Sequence, residues 1–389
     1  HYNSALKQSL LNFQTMLRKI STLIETNKIS GTESAALVIN LSNLLKNYNY
    51  LKSLNKKTEI ASSIKANAYG LGAIKIAKTL NKIGCKNFFV ANSTEALALK
   101  KEIKKINIFV LNGSLDEKTS LKLIDEEIYI VVNNFAELDL IKKISIAKGN
   151  KIKCALHFDS GINRLGFPCK DIGKISTAYM KYMNIVLVMT HLTCSEKKAS
   201  KFNVNQLNIF KKIKYQLSYL KNCQFSISNS NGALINSNYY FDMIRAGGYI
   251  YGLSLTKKKI SSMKTIVSLK AKIIQIRYVD KLNPIGYGAS YITKRKSLIA
   301  TLGIGYADGI PRSYKGYVFL KKQKAPIVGN ISMDLMTIDI TKIKNVKIND
   351  WVEIFGKNII IEKFASQCNT ISYEITSKIS KRVQRVYIT

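Results

Sequence analysis

Between about residues 35 and 262, short apolar or β-branched runs alternate with longer amphipathic segments that carry Lys and Glu on one side. The runs lie near 36–40, 60–65, 87–91, 107–111, 128–132, 152–158, 185–191, 224–229 and 243–251, and segments such as 73–83, 94–105 and 203–221 carry a helical period. Repeated strand–helix alternation implies parallel strands joined by crossover helices. Nearly eight such units predict a closed barrel rather than an open sheet. After residue 262 the pattern changes to β-rich segments near 267–279, 298–304, 317–321 and 335–340, without long helices between them. The predicted fold is therefore α/β: a (β/α)8 TIM-like barrel over 31–262, followed by a C-terminal mostly β domain over 263–389. Residues 1–30 form a separable helical extension, with Leu10, Phe13, Leu17, Ile20 and Ile24 on one stripe. That stripe is expected to pack on its own chain, the alternative being a partner-docking or membrane-surface helix. A chain that begins with His1 is expected to be incomplete or processed.

Composition limits the function classes. The formal net charge is +37, with 61 Lys plus Arg against 24 Asp plus Glu, which at face value suggests an anionic partner. The excess lies in 53 lysines spread along the whole chain, against only 8 arginines. No segment concentrates charge and interleaves it with stacking aromatics, so no nucleic-acid partner is expected. No apolar run reaches the roughly 18 residues that a spanning helix needs, so no membrane role is expected. The six cysteines, at 85, 154, 169, 194, 223 and 368, are irregularly spaced and contain no paired C-x-x-C, which suits a reducing, cytoplasmic compartment. Three histidines are too few for a His-based metal cluster, and no metal site is expected.

In a barrel of this kind the site is built at the carboxyl ends of the strands. Unusual local sequence falls there. Lys65-Ala66-Asn67-Ala68-Tyr69-Gly70 ends one strand; a lysine desolvated at a barrel mouth has a lowered pKa and a free amine for covalent chemistry. The segment from His157 to Gly166 ends another, and Thr190-His191, Asn229-Ser230 and Arg245-Ala246-Gly247-Gly248 end others. Ser230 with the Gly247-Gly248 turn supplies a hydroxyl and backbone N–H groups suited to a phosphate. In a chain that uses arginine so sparingly, Arg164 and Arg245 at strand ends point to a need for planar, bidentate geometry. In the second domain, Tyr287 and Tyr306 stand between glycines and are candidate proton-transfer groups.

Taken in order, these motifs resemble those of the alanine racemase family: Ile64-Lys65-Ala66-Asn67-Ala68-Tyr69-Gly70, Asp159-Ser160-Gly161-Ile162-Asn163-Arg164-Leu165-Gly166, Thr190-His191, Asn229-Ser230, Arg245-Ala246-Gly247, Gly286-Tyr287-Gly288, Gly305-Tyr306-Ala307-Asp308-Gly309, Ser332-Met333-Asp334 and Ser372-Tyr373-Glu374. The resemblance runs from about residue 35 to the C-terminus. It implies a pyridoxal 5'-phosphate enzyme that interconverts L- and D-alanine, supplying D-alanine for peptidoglycan. By position, Lys65 holds the cofactor covalently and serves as one base, and Tyr287, reaching in from the partner of a homodimer with shared sites, is the other. Tyr69, Asn229, Ser230, Gly247, Gly248 and Tyr373 match cofactor-binding positions, and His191 matches a residue beside the ring. Arg164, Met333 and Tyr306 match the substrate region, Arg164 also facing the cofactor. Arg245 matches the partner of the pyridine nitrogen. A permanently charged Arg leaves that nitrogen unprotonated, which weakens the electron sink and suits a racemase better than a transaminase or decarboxylase.

Three positions depart from the family. His157 stands where many members carry a carbamylated lysine that braces the arginine matched by Arg164; the expectation is no carbamate, with His157 either bracing in its place or leaving the brace absent. Leu71 replaces a frequent histidine, and Gly248 a larger residue. Two alternatives keep the fold: a racemase of broader specificity acting on serine or basic amino acids, and a non-catalytic pyridoxal-phosphate-binding protein. The second domain with Tyr287 argues against the latter.

Overall fold

The computed structural model describes residues 33–256 and 260–389. The apolar stripe expected in residues 1–30 lies outside the described residues. Two compact units are present, one of residues 44–264 and one combining 33–43 with 265–389.

The first unit is an eight-stranded parallel barrel. Strand Met243–Ala246 pairs with Glu59–Ser63, and the order then follows the chain through Asn87–Val90, Asn107–Val110, Tyr129–Val132, Ile152–Asp159, Met183–Met189 and Gln224–Ser226. The ring closes where Arg245 N–H donates to the Ser228 carbonyl at 2.9 Å and Asn229 bridges Arg245 in parallel. Three of the crossover helices start at an Asx side chain two residues beyond a strand or in the loop after it. Asn92, Asp116 and Asn134 accept from the backbone N–H of Glu95, Thr119 and Glu137 respectively, satisfying donors that the first helical turn leaves unpaired. Ala61, Phe89, Phe109, Val131, Ala155, Leu187, Met189 and Met243 form one buried cluster fed by seven of the eight strands. The rings of Phe89 and Phe109 stack at 4.7 Å, and each buried phenylalanine stabilises the fold by about 1.5–3 kcal/mol.

The starts of the strands are joined by polar side chains instead. Glu59 accepts from Asn87 Nδ2 at 2.5 Å and from Gln224 Nε2 at 3.0 Å, and Asn107 Nδ2 donates to Asn87 Oδ1 at 2.9 Å. Side chains from four strands thus cross-link the end of the barrel opposite the carboxyl ends of its strands.

One expectation is corrected. The run at 36–40 is not a barrel strand. Ala35–Asn40 pairs antiparallel with Val267–Val279 (Ala35 opposite Ala271) and parallel with the edge strand Gln384–Ile388 (Ala36 opposite Gln384), inside the second unit's sheet. A central strand buried on both faces reads as a continuous apolar run whichever sheet it joins, so periodicity could not tell the two apart. The rest of that unit is mostly β, with Val267–Val279 also pairing with Ser297–Leu302 and Trp351–Phe355, and with two short helices, Ile361–Gln367 and Ser372–Lys378. Among the described residues no helix is long and apolar enough to cross a membrane.

Replacing Glu59 with Ala strips the cross-link of its acceptor and leaves Asn87 and Gln224 amides partly unpaired. Urea unfolding should show a loss of about 1–3 kcal/mol; an unchanged midpoint would show that the cross-link adds nothing.

Candidate active site

Lys65 follows strand Glu59–Ser63 directly, with Ile64 N–H still held by the Phe89 carbonyl at 2.8 Å. The next four residues, Ala66, Asn67, Ala68 and Tyr69, all take positive φ, between 51° and 56°. This left-handed turn costs about 1–2 kcal/mol per L-residue. Its own hydrogen bonds (Ala68 N–H to Ile64 O, Gly70 N–H to Ala66 O, Gly72 N–H to Asn67 O, 2.8 to 2.9 Å) and Asn67 Oδ1, which accepts from Ala73 N–H at 2.8 Å, hold it in place. Strain retained at this point marks a functional position.

The turn delivers the Tyr69 phenol to the Gly247 turn. A Cβ added at Gly247 would lie 2.5 Å from Tyr69 Oη, so only glycine leaves room for the hydroxyl there. Ser230 Oγ accepts from Gly247 N–H at 2.8 Å and Tyr249 N–H at 3.3 Å, which leaves its own proton to donate. Tyr69 packs at 5.1 Å against the ring of Tyr251, whose hydroxyl donates to the Ser63 carbonyl at 2.8 Å. Two hydroxyls and a glycine turn therefore converge in a small cradle with the chemistry of an anion site. Asn229, next to Ser230, turns the chain by accepting from Gly232 N–H at 2.9 Å.

Arg245 is buried and pairs with neutral acceptors. Its Nη1 donates to the Ser226 carbonyl (2.9 Å) and Ser226 Oγ (2.5 Å), and Nη2 to the Thr190 carbonyl (2.5 Å). Burial lowers its pKa to about 9, which still leaves it a cation at neutral pH. Lys65 is pushed below the ordinary lysine value, first by burial and then by the charges of Arg164 and Arg245, against an opposing pull from Glu95. His191, half-buried, is held neutral by burial and by the same cations, Arg245 first; its carbonyl accepts from Gln206 Nε2 at 2.9 Å. Arg164 lies exposed in the loop after Asp159, on a tight turn completed by Gly166.

The tautomer of His157 follows from its neighbours. Asn133 Nδ2 donates to the carbonyls of Val131 (2.8 Å) and Leu111 (3.2 Å), so Asn133 Oδ1 must accept, and His157 Nδ1, 2.8 Å away, carries the proton. His157 Nε2 is then a buried lone pair without a partner among the described residues. Burial and the charges of Arg245 and Arg164, against Asp159, lower the pKa of His157 to about 4.

Four of the expected site residues belong to the second unit. Tyr287 sits in a turn bounded by Gly286 and Gly288, is 72% exposed, and its carbonyl accepts from Asn330 Nδ2 at 3.1 Å. Tyr306 and Met333 are brought together: Tyr306 N–H donates to Ser332 O (3.0 Å) and Ala307 N–H to Met333 O (2.9 Å), an approach so close that a Cβ on Gly305 would lie 2.3 Å from Met333 O. Tyr373 is half-buried on the first turn of helix Ser372–Lys378.

Family models for the N-terminal and C-terminal domains of alanine racemase match residues 39–255 and 266–387. The chain belongs to the alanine racemase family. It is 39% identical to the alanine racemase of Rickettsia bellii over 343 residues, covering 86% of this chain and 83% of that one, and 38% identical to that of Rickettsia akari, covering 90% and 98%. Among solved structures it is similar to the alanine racemase of Bartonella henselae with covalently bound pyridoxal phosphate (TM-score 0.85, 35% identity, 92% of this chain and 100% of that one). It is also similar to the alanine racemase of Clostridium difficile (TM-score 0.86, 30% identity, 92% and 97%).

The family motifs do not contain every residue that supports the site. Asn133, Gln206 and Glu95 act on site residues through contacts distant in sequence and left no local signal. Arg382 could have been found by the scarcity of arginine that singled out Arg164 and Arg245. Its Nε and Nη2 reach Asp308 and Asp334, both at 2.6 Å, and Asp308 in turn accepts from Gly305 N–H at 2.8 Å, locking the loops that carry Tyr306 and Met333.

The neutral state of His157 gives a pH dependence. Its folded pKa of about 4 lies below the unfolded value near 6.5, so in that window the unfolded chain binds the proton more readily and stability falls as pH drops from 6.5 towards 4. Urea titrations across that window should show a shallower decline for His157→Gln than for the parent; equal slopes would contradict a buried neutral imidazole.

Proposed function

We propose that this chain is a pyridoxal 5'-phosphate-dependent alanine racemase that interconverts L- and D-alanine and so supplies D-alanine for peptidoglycan. The observation that carries this reading is the single cluster in which a half-buried Lys65, its amine biased towards the neutral form, adjoins a buried Arg245 and the anion cradle of Tyr69, Ser230 and Gly247. These residues fit the cofactor. The cradle, with the backbone of Gly248, would take the phosphate, and Lys65 Nζ would carry the covalent bond. The imidazole of His191, uncharged, suits a neighbour of the aromatic ring. Bound there, the cofactor supplies an electron sink for the carbanion at the substrate Cα.

Racemisation takes a proton from one face of Cα and returns one to the other, so it needs two bases on opposite faces. Lys65, pushed below the ordinary lysine value by burial and by its cationic neighbours, gives up its proton more readily than a surface lysine. Tyr287 is the second base, delivered by a second copy in a homodimer with shared sites. Tyr287 is 72% exposed, and Tyr278 at 70% and Leu282 at 73% are exposed on the same unit; exposed aromatic and apolar side chains of this kind suit contact with another chain. Arg245 would donate a hydrogen bond to the pyridine nitrogen and, as a permanent cation, leave it unprotonated; the weaker electron sink favours a short-lived carbanion over side reactions. By the family resemblance, Arg164 orients the substrate carboxylate, and Met333 and Tyr306 match substrate-region positions of the homodimer. Tyr373 matches a phosphate-binding position by the same resemblance. We assign the reaction to the reducing cytoplasm, a reading supported by six cysteines that are all free thiols.

Racemisation of L-alanine by purified protein with added pyridoxal phosphate tests the proposal. D-alanine should accumulate, Lys65→Ala should produce none, and Tyr287→Phe should be slower by about 100-fold or more. L-serine and L-lysine in the same assay set the breadth of specificity. Cofactor binding without turnover of any of the three would contradict the proposal.

A further inference from the structure

Glu95 belongs to none of the recognised motifs, yet its carboxylate ties together the backbone around Lys65. Glu95 lies in the first turn of helix Ser93–Glu102, where its own N–H is already capped by Asn92 Oδ1 at 3.0 Å. A glutamate at this position ordinarily folds back on the capping residue. Here it reaches elsewhere. Oε1 accepts from Ala66 N–H at 2.7 Å and Oε2 from Ala91 N–H at 2.8 Å, one from the end of strand Glu59–Ser63 and one from the end of its neighbour Asn87–Val90. Ala66 is both the residue after Lys65 and the first of the four left-handed residues.

We propose that Glu95 is a positioning residue for Lys65, its carboxylate clasping the strained turn at the residue next to the cofactor-bearing amine and placing one negative charge beside that amine. This rests on the reading that Lys65 carries the cofactor. Four consecutive non-glycine residues at positive φ need external support, and charge-assisted acceptance of Ala66 N–H supplies it at the point where the chain enters the turn. The electrostatics have the same sense. The charged and titratable groups acting with Lys65 are Arg164 and Arg245, both cations, the neutral His191, and Glu95, the carboxylate that opposes them. Without Glu95 the amine would sit in an all-cationic surround, and the carbon chain that aims it would hang from an unclasped turn.

The test uses the cofactor-loaded enzyme, its Glu95→Gln and Glu95→Ala variants, and three readouts. Amide hydrogen exchange at Ala66 and Ala91, read on the chain itself, should accelerate by about tenfold or more in Glu95→Ala. The pH midpoint of the bound cofactor's visible absorption should fall by about one pH unit in Glu95→Gln, because losing the carboxylate disfavours the cationic form of the Lys65 nitrogen. The kcat for L-alanine should fall about tenfold, with KM little changed. Parent-like exchange and a parent-like midpoint in both variants would overturn the proposal. If Glu95→Ala fails to fold, Glu95→Gln, which retains one carbonyl acceptor, decides by its midpoint and exchange. A parent enzyme that takes up no cofactor would refute the functional reading instead, and the exchange at Ala66 would still decide whether Glu95 clasps the turn.

Discussion

A guanidinium buried against neutral acceptors sets the character of the whole barrel mouth. Arg245 makes its bonds to the carbonyls of Thr190 and Ser226 and to the Ser226 hydroxyl, so its charge is solvated without being cancelled. Burial pushes Lys65, His157 and His191 towards their neutral forms, and that uncancelled charge, together with the charge of Arg164, pushes in the same direction. Holding several titratable groups away from their ordinary values in one place is the arrangement that proton-transfer chemistry requires. The strands make it possible: Thr190 follows Met183–Met189 and Ser226 ends Gln224–Ser226, while Arg245 stands on the closing strand, so one residue closes the seam of the barrel with its backbone N–H and charges the site with its side chain.

The second constraint is geometric. Lys65 is followed at once by a left-handed turn, and the turn carries Tyr69 to the Gly247 cradle. The amine and one wall of the anion site thus lie on the same short segment, and a backbone adjustment in one displaces the other. Rigidity comes from Asn67 within the segment and from Glu95 and the Tyr251 ring outside it, while the polar cross-link of Glu59, Asn87, Asn107 and Gln224 secures the strand starts at the opposite end.

The barrel was legible because hydrophobic alternation is a local property that every strand–helix unit repeats. The strand ends were legible because arginine there stands out in a chain that otherwise uses lysine, and because Lys65, one lysine among 53, is flanked by motifs that occur in family order. Sequence reading went wrong where locality ends. Ala35–Asn40 looks like any buried strand, and its partners at 267–271 and 384–388 are more than two hundred residues away. Asn133, paired with His157 across 24 residues, and Glu95, paired with Ala66 across 29, are likewise invisible without coordinates. His157 is an intermediate case: its departure from the family pattern could be read, but its tautomer depends on which carbonyls Asn133 already holds.

The central claim is that one lysine among 53 is the cofactor's anchor because of where Arg245 and the left-handed turn put it. Borohydride reduction of the cofactor-loaded enzyme, followed by proteolysis and mass spectrometry, reads this directly. The account predicts a pyridoxyl mass on the peptide containing Lys65 and on no other. A label on a different lysine, or labels scattered over many, would contradict it.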